Sequence, residues 1–122
     1  MKNHVFPTDT TKEYFTEEQC HIIEIFNNET PASFSLARAR VEIDVQTKLH
    51  ALDGIDEAYY ILQGEGEMEL EGKGISTVKP GDFIWIPKGQ AQRIKNTGTS
   101  DLIFLCVCSP KFREENYQSL EP

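Results

Sequence analysis

The chain has 122 residues, enough to bury one core without help from disulfides or a structural metal, so a single domain with no linker is expected. Twenty acidic against twelve basic side chains leave a net charge of −8, which repels a phosphate backbone and argues against a nucleic-acid partner. The opening MKNHVFPTDTTKEYF has no apolar signal core and the longest apolar run, residues 102–108, is too short for a bilayer, so a soluble cytoplasmic protein without a membrane partner is expected.

Residues 1–19 are polar and Thr-rich, with Pro7 and the pair Glu17 and Glu18, and they read as an arm over the surface, pinned by Phe6, Tyr14 and Phe15. CHIIEIF (20–26) is rich in strand formers, and NNETPAS supplies a turn. FSLARARVEID (34–44) alternates with period two. Ala37, Ala39, Val41 and Ile43 share one face, and Phe34, Leu36, Arg38 and Arg40 the other. DEAYYILQ (56–63) sets Glu57, Tyr59 and Ile61 against Tyr60 and Leu62.

In GEGEMELEGKG (64–74) every second residue from Glu65 to Glu71 is acidic, the pattern of a strand with one solvated face, closed by a turn at residues 72–74. ISTVK (75–79), DFIWI (82–86) and AQRIKN (91–96) follow, separated by turns at Pro80-Gly81 and Pro87-Lys88-Gly89. Parity separates Phe83 and Trp85 from Ile84 and Ile86, and leaves open which pair is internal. LIFLCVC (102–108) is apolar throughout, as a strand at the centre of a sheet would be. After Ser109-Pro110 the tail has room for one helical turn, anchored by Phe112, Tyr117 and Leu120.

About eight short strands divided by turns, with no long amphipathic helix, give an all-β sandwich or barrel. It would span residues 20–108, between the arm (1–19) and the tail (109–122). Cys20, Cys106 and Cys108 are an odd count without framework spacing, so buried thiols in a reducing compartment are expected.

Two segments, TKLHALDGIDEAYYILQGEG (47–66) and KPGDFIWIPKGQAQRIKN (79–96), carry the most specific signal. In the first, His50 and Glu57 are followed after six residues by Gly64; in the second, Gly81, Pro87, Gly89, Gln92 and Asn96 keep a fixed spacing. This order and spacing, over residues 44–96, resembles the two motifs of the cupin superfamily, whose fold is a double-stranded β-helix, a small jelly-roll barrel. Asp44 stands where the pattern has its first glycine, Leu52 where it has a second histidine, and Gln92 where it has a third.

The resemblance implies a site inside the barrel. In the family pattern three histidines and a glutamate hold a divalent transition metal, and iron, manganese, nickel, copper or zinc would suit such donors. Here the inherited positions carry His50, Glu57 and Gln92, with His21 and Glu24 as the outside candidates, while His4 belongs to the arm. One reading is a metal-dependent enzyme of oxygenase, isomerase or lyase type acting on a small molecule. The other is a ligand-binding or sensing cupin without metal, in which Gln92 hydrogen-bonds across the pocket and Glu57 pairs with Arg38, Arg40 or Lys48.

For substrate binding, Arg38 and Arg40 turned inward would fork onto a carboxylate or phosphate, and Tyr59 or Trp85 would line an apolar wall. A homodimer is expected, joined through the outer faces of CHIIEIF and LIFLCVC and through the amino-terminal arm.

Overall fold

The computed structural model describes residues 4–122, so the first three residues of the arm lie outside the described residues. The strands are β1 (Tyr14–Phe15), β2 (His21–Phe26), β3 (Ser35–Val41), β4 (His50–Leu52), β5 (Asp56–Gln63) and β6 (Gly66–Leu70). They continue as β7 (Gly74–Val78), β8 (Phe83–Ile86), β9 (Gln92–Asn96), β10 (Leu102–Ser109) and β11 (Tyr117–Ser119). One sheet runs β1-β2-β3-β10-β5-β8 and the other β11-β4-β9-β6-β7. Neighbouring strands are antiparallel, and the core lies between the sheets.

Strand β10 occupies the centre of the larger sheet, between β3 and β5, as its apolar sequence requires. Leu102, Phe104 and Cys106 are buried on its inner side, with Tyr59 and Ile61 of β5 and Met68 and Ile94 of the facing sheet, and Cys108 is buried in a second cluster with Leu52 and Ile55. All three cysteines are free and buried. Parity holds along β5, where Glu57, Tyr59 and Ile61 are inside while Tyr60 and Leu62 are exposed. In β8 it resolves in favour of the isoleucines: Ile86 is in the core, and Phe83 and Trp85 are 67% and 63% exposed.

Ile43 was expected on the core face and is exposed instead. Strand β3 ends at Val41, and Asp44 turns the chain with φ of 66°, a left-handed conformation that Asp tolerates better than most residues. This positive φ is one that glycine adopts readily, and Asp44 stands where the motif has a glycine. Gly64, by contrast, admits no substitute: its φ is 85°, and a Cβ there would lie 2.7 Å from the Asp101 carbonyl oxygen.

The arm returns onto its own barrel. β1 pairs with β2, Phe6 packs edge-on against Phe26, and Glu13 holds Arg40, which also reaches Asp101. The tail makes the expected helical turn, of 3-10 type, at Glu114–Asn116 and then adds β11 to the edge of β4. Phe112 and Tyr117 pack on Leu52, Ile55 and Cys108, whereas Leu120 is exposed and anchors through its N–H to the Leu49 carbonyl.

Asn96, the last residue of the second motif, is 0% exposed and closes the turn between β9 and β10. Its Nδ2 donates to the carbonyls of Val41 and Ser100, and its Oδ1 accepts from the Gly98 N–H. Replacing it strands backbone groups away from water. Asn96→Ala should lower stability by about 2 to 3 kcal/mol, read as a reduced urea midpoint at unchanged slope.

Candidate functional site

The site begins with a register. β4 lies beside β9 with His50 opposite Gln92, while Glu57 and Tyr59 project from β5 of the other sheet into the same interior. Gln92 spans the gap. Its Nε2 donates to Glu57 Oε1 at 2.6 Å, and its Oε1 accepts from the Tyr59 hydroxyl at 2.8 Å. With Glu57 as the carboxylate, which can only accept, the amide turns its NH2 group to Glu57 and its oxygen to the Tyr59 hydroxyl. Among the described residues the other Glu57 oxygen has the Cys108 thiol, at 3.9 Å, as its hydrogen-bond partner.

His50 is 3% exposed and is held from three directions. Its Nδ1 lies 2.8 Å from the Lys48 carbonyl, which can only accept, so Nδ1 carries the proton and Nε2 of the neutral ring is left as an acceptor. Tyr117 of β11 stacks on the ring at 5.3 Å. The third neighbour comes from the arm: Glu18 Oε2 sits 3.2 Å from Nδ1. A turn in which Cys20 N–H and the Thr16 hydroxyl bond across residues 16–20 delivers it, and the Lys48 N–H fastens it by donating to the Glu18 carbonyl.

These groups surround a cavity of about 90 Å³. His50, Glu57 and Tyr59 line it from the motif strands, Tyr14, Thr16 and Glu18 from the arm, and Phe112 and Tyr117 from the tail. Of the expected site residues, the fold therefore brings together His50, Glu57, Gln92 and Tyr59. Arg38, Arg40 and Trp85 lie elsewhere. Ala37 and Ala39 line the cavity, so strand parity turns Arg38 and Arg40 to the outside, where Arg40 is paired with Glu13 and Asp101. Trp85 is on the outer surface for the same reason, opposite Ala58. Glu24 lines the cavity although it is exposed, His21 pairs with Glu42 and packs at a tilt against Phe15, and His4 is exposed.

Glu18 and Tyr117 are the contributors that sequence reasoning missed. Glu18 looks like half of a solvated acidic pair, and its partner His50 is distant in the chain.

A family model described as a cupin domain matches residues 39–108. The chain belongs to the cupin family. An uncharacterized protein of Methanocaldococcus jannaschii is 36% identical over 115 residues, covering 93% of this cupin and 91% of that protein. An oxalate-binding protein of Thermotoga maritima is 39% identical over 71 residues, 58% of each chain. Among solved structures, one described as a predicted oxalate decarboxylase from Thermotoga maritima superposes with a TM-score of 0.74 at 25% identity, covering 85% of this cupin and 98% of that chain.

Cupins often bind a divalent metal, and the side chains present here do not fit one at the inherited positions. Leu52 has no donor and is buried in an apolar cluster with Ile55, Cys108, Phe112 and Tyr117. The Gln92 oxygen is engaged by Tyr59, and its nitrogen faces Glu57. Among the described residues no group of three or more His, Cys, Asp or Glu is placed to hold a metal ion.

Burial instead tunes the carboxyls. Glu57 is pushed up to about 7 by desolvation, restrained by the Gln92 hydrogen bond and the neighbouring His50, and Glu18 is raised for the same first reason. The thiols of Cys20, Cys106 and Cys108 are pushed up by burial, which disfavours the nucleophilic thiolate. Folded Glu57 keeps its proton to about pH 7, whereas in the unfolded chain it loses it near 4.5. The stability it contributes is therefore complete below pH 4.5 and disappears as pH rises through 7, a change on the order of 3 kcal/mol. Glu57→Gln should flatten that part of the stability profile, gaining on the unaltered protein as pH rises from 4 to 8 in urea denaturation.

Proposed function

We propose that this cupin binds a small organic molecule inside the barrel and moves a proton on it without a metal ion, chemistry of lyase or isomerase type. The observation that carries the reading is the orientation of Gln92, which occupies a metal-ligand position of the family and uses both ends of its amide to hold Tyr59 and Glu57. Glu57 then has the properties of a general acid or base: burial, a carboxyl poised near neutrality and one oxygen free of strong partners. His50 offers Nε2 to the same cavity.

Oxygenase chemistry at a metal needs donors that Leu52 and Gln92 do not supply. Protein purified without a histidine tag should stay sub-stoichiometric in metal after incubation with manganese, iron, nickel, copper or zinc. Leu52→His combined with Gln92→His should gain about one equivalent. Uptake of one equivalent by the unaltered protein, lost in His50→Ala, would contradict the reading.

For the homodimer we propose the outer face of the larger sheet, which takes in the LIFLCVC strand of the expected contact, without the arm, which pairs with its own barrel. The outer face of the larger sheet carries two cross-strand rows, Leu36-Val107-Ala58-Trp85 and Arg38-Leu105-Tyr60-Phe83. Their exposed aromatic side chains support a self-complementary contact between two copies of that face. Light scattering should give the mass of a dimer, and Phe83→Glu with Trp85→Glu should give a monomer of unchanged fold; a monomeric unaltered chain at micromolar concentration would refute the contact.

A further inference from the structure

Donors and acceptors inside the cavity are unequally used. Three of the hydroxyls that line it already give their protons to the protein, Tyr59 to Gln92, Thr16 to the Cys20 carbonyl and Thr47 to the Ile94 carbonyl, and those of Tyr14, Ser35 and Tyr117 complete the lining. Beside these hydroxyls the strongest groups open to an occupant are acceptors. They are the second oxygen of Glu57, the Glu18 oxygen that does not face His50 Nδ1, and Nε2 of His50. His50 is 3% exposed, and among the described residues nothing pairs with its Nε2.

Basic side chains that could answer these acceptors are held elsewhere. Arg40 is committed to Glu13 and Asp101, Arg93 to Glu69, and Arg113 to Glu29. Among the described residues, neither the cavity nor the groove that continues outward from it is lined by Lys or Arg. That groove shares Tyr14, Phe112 and Tyr117 with the cavity and adds Glu17 and Glu114. Carboxylates with aromatic faces beside them form an environment for an organic cation, which gains from the charges and from the ring quadrupoles together.

We infer that the interior site takes a small organic cation, a primary amine or amidine, whose N–H donors meet Glu18, Glu57 and His50 while its carbon part lies against Tyr117 and Phe112. The inference rests on the reading of the barrel interior as a small-molecule site and names the ligand class. A dicarboxylate such as oxalate, for which the Thermotoga maritima relative is named, would here meet the carboxyl groups of Glu18 and Glu57 and no guanidinium. A bare metal ion is disfavoured because the acidic and imidazole groups do not converge as a ligand set. The net charge of −8 also favours the approach of a cation.

Propylammonium, propionate and propan-1-ol, matched in size, separate the classes on the unaltered protein at fixed ionic strength. Propylammonium should shift the His50 ring resonances in a saturable way and raise the melting temperature, while the other two leave both unmoved. Glu18→Gln should weaken propylammonium by about tenfold with the fold intact by amide NMR. Saturable shifts from propionate or propan-1-ol without propylammonium would overturn the cation and leave the interior site standing. Silence of the His50 signals to all three at millimolar concentration would overturn it as well. Failure of the metal-free reading shows separately, as metal uptake by the unaltered protein.

Discussion

The structure depends on one side chain that crosses between two sheets. Gln92 on β9 accepts from Tyr59 and donates to Glu57, both on β5, with all three residues buried. Each polar group in that chain satisfies the next, and removing any one would leave its neighbours unpaired where water does not reach. In the family pattern a metal ion tied to both motifs would serve that place. Here a neutral amide does so, and it leaves Glu57 as a buried carboxyl whose charge is set by its surroundings.

The two chain ends complete what the motifs begin. β4 has three residues and pairs with β9 through His50 and Gln92, so its position is shared with what flanks it. On one side the Glu18 carbonyl accepts from Lys48, and on the other the Leu120 N–H donates to Leu49 while Tyr117 stacks on His50. Arm and tail thereby place an acid and an aromatic ring around the imidazole. The chemistry of the site is built from four separated stretches of sequence.

Much of this was legible in the residues. Motif spacing located His50, Glu57, Gln92 and the turn at Asn96, period-two alternation sorted the faces of β5, and an unbroken apolar run marked β10 as central. The three strands that went unseen, β1, β4 and β11, have two or three residues, too few for a period to show. Arg38, Arg40 and Trp85 were misplaced because alternation gives faces without saying which is inside. For Trp85 both faces of β8 are apolar, and for the arginines the deciding fact is that small alanines leave room for the cavity. Glu18 carried no local signal, since its role depends on a contact with a distant part of the chain.

The side-chain amide of Gln92 is the direct reporter of the central claim. Nitrogen-15 NMR should find its NH2 as two separate, slowly exchanging proton signals whose positions follow a titration near pH 7, that of Glu57, and which manganese does not broaden. A solvent-averaged amide that ignores pH in that range, or one broadened by stoichiometric manganese, would contradict the account.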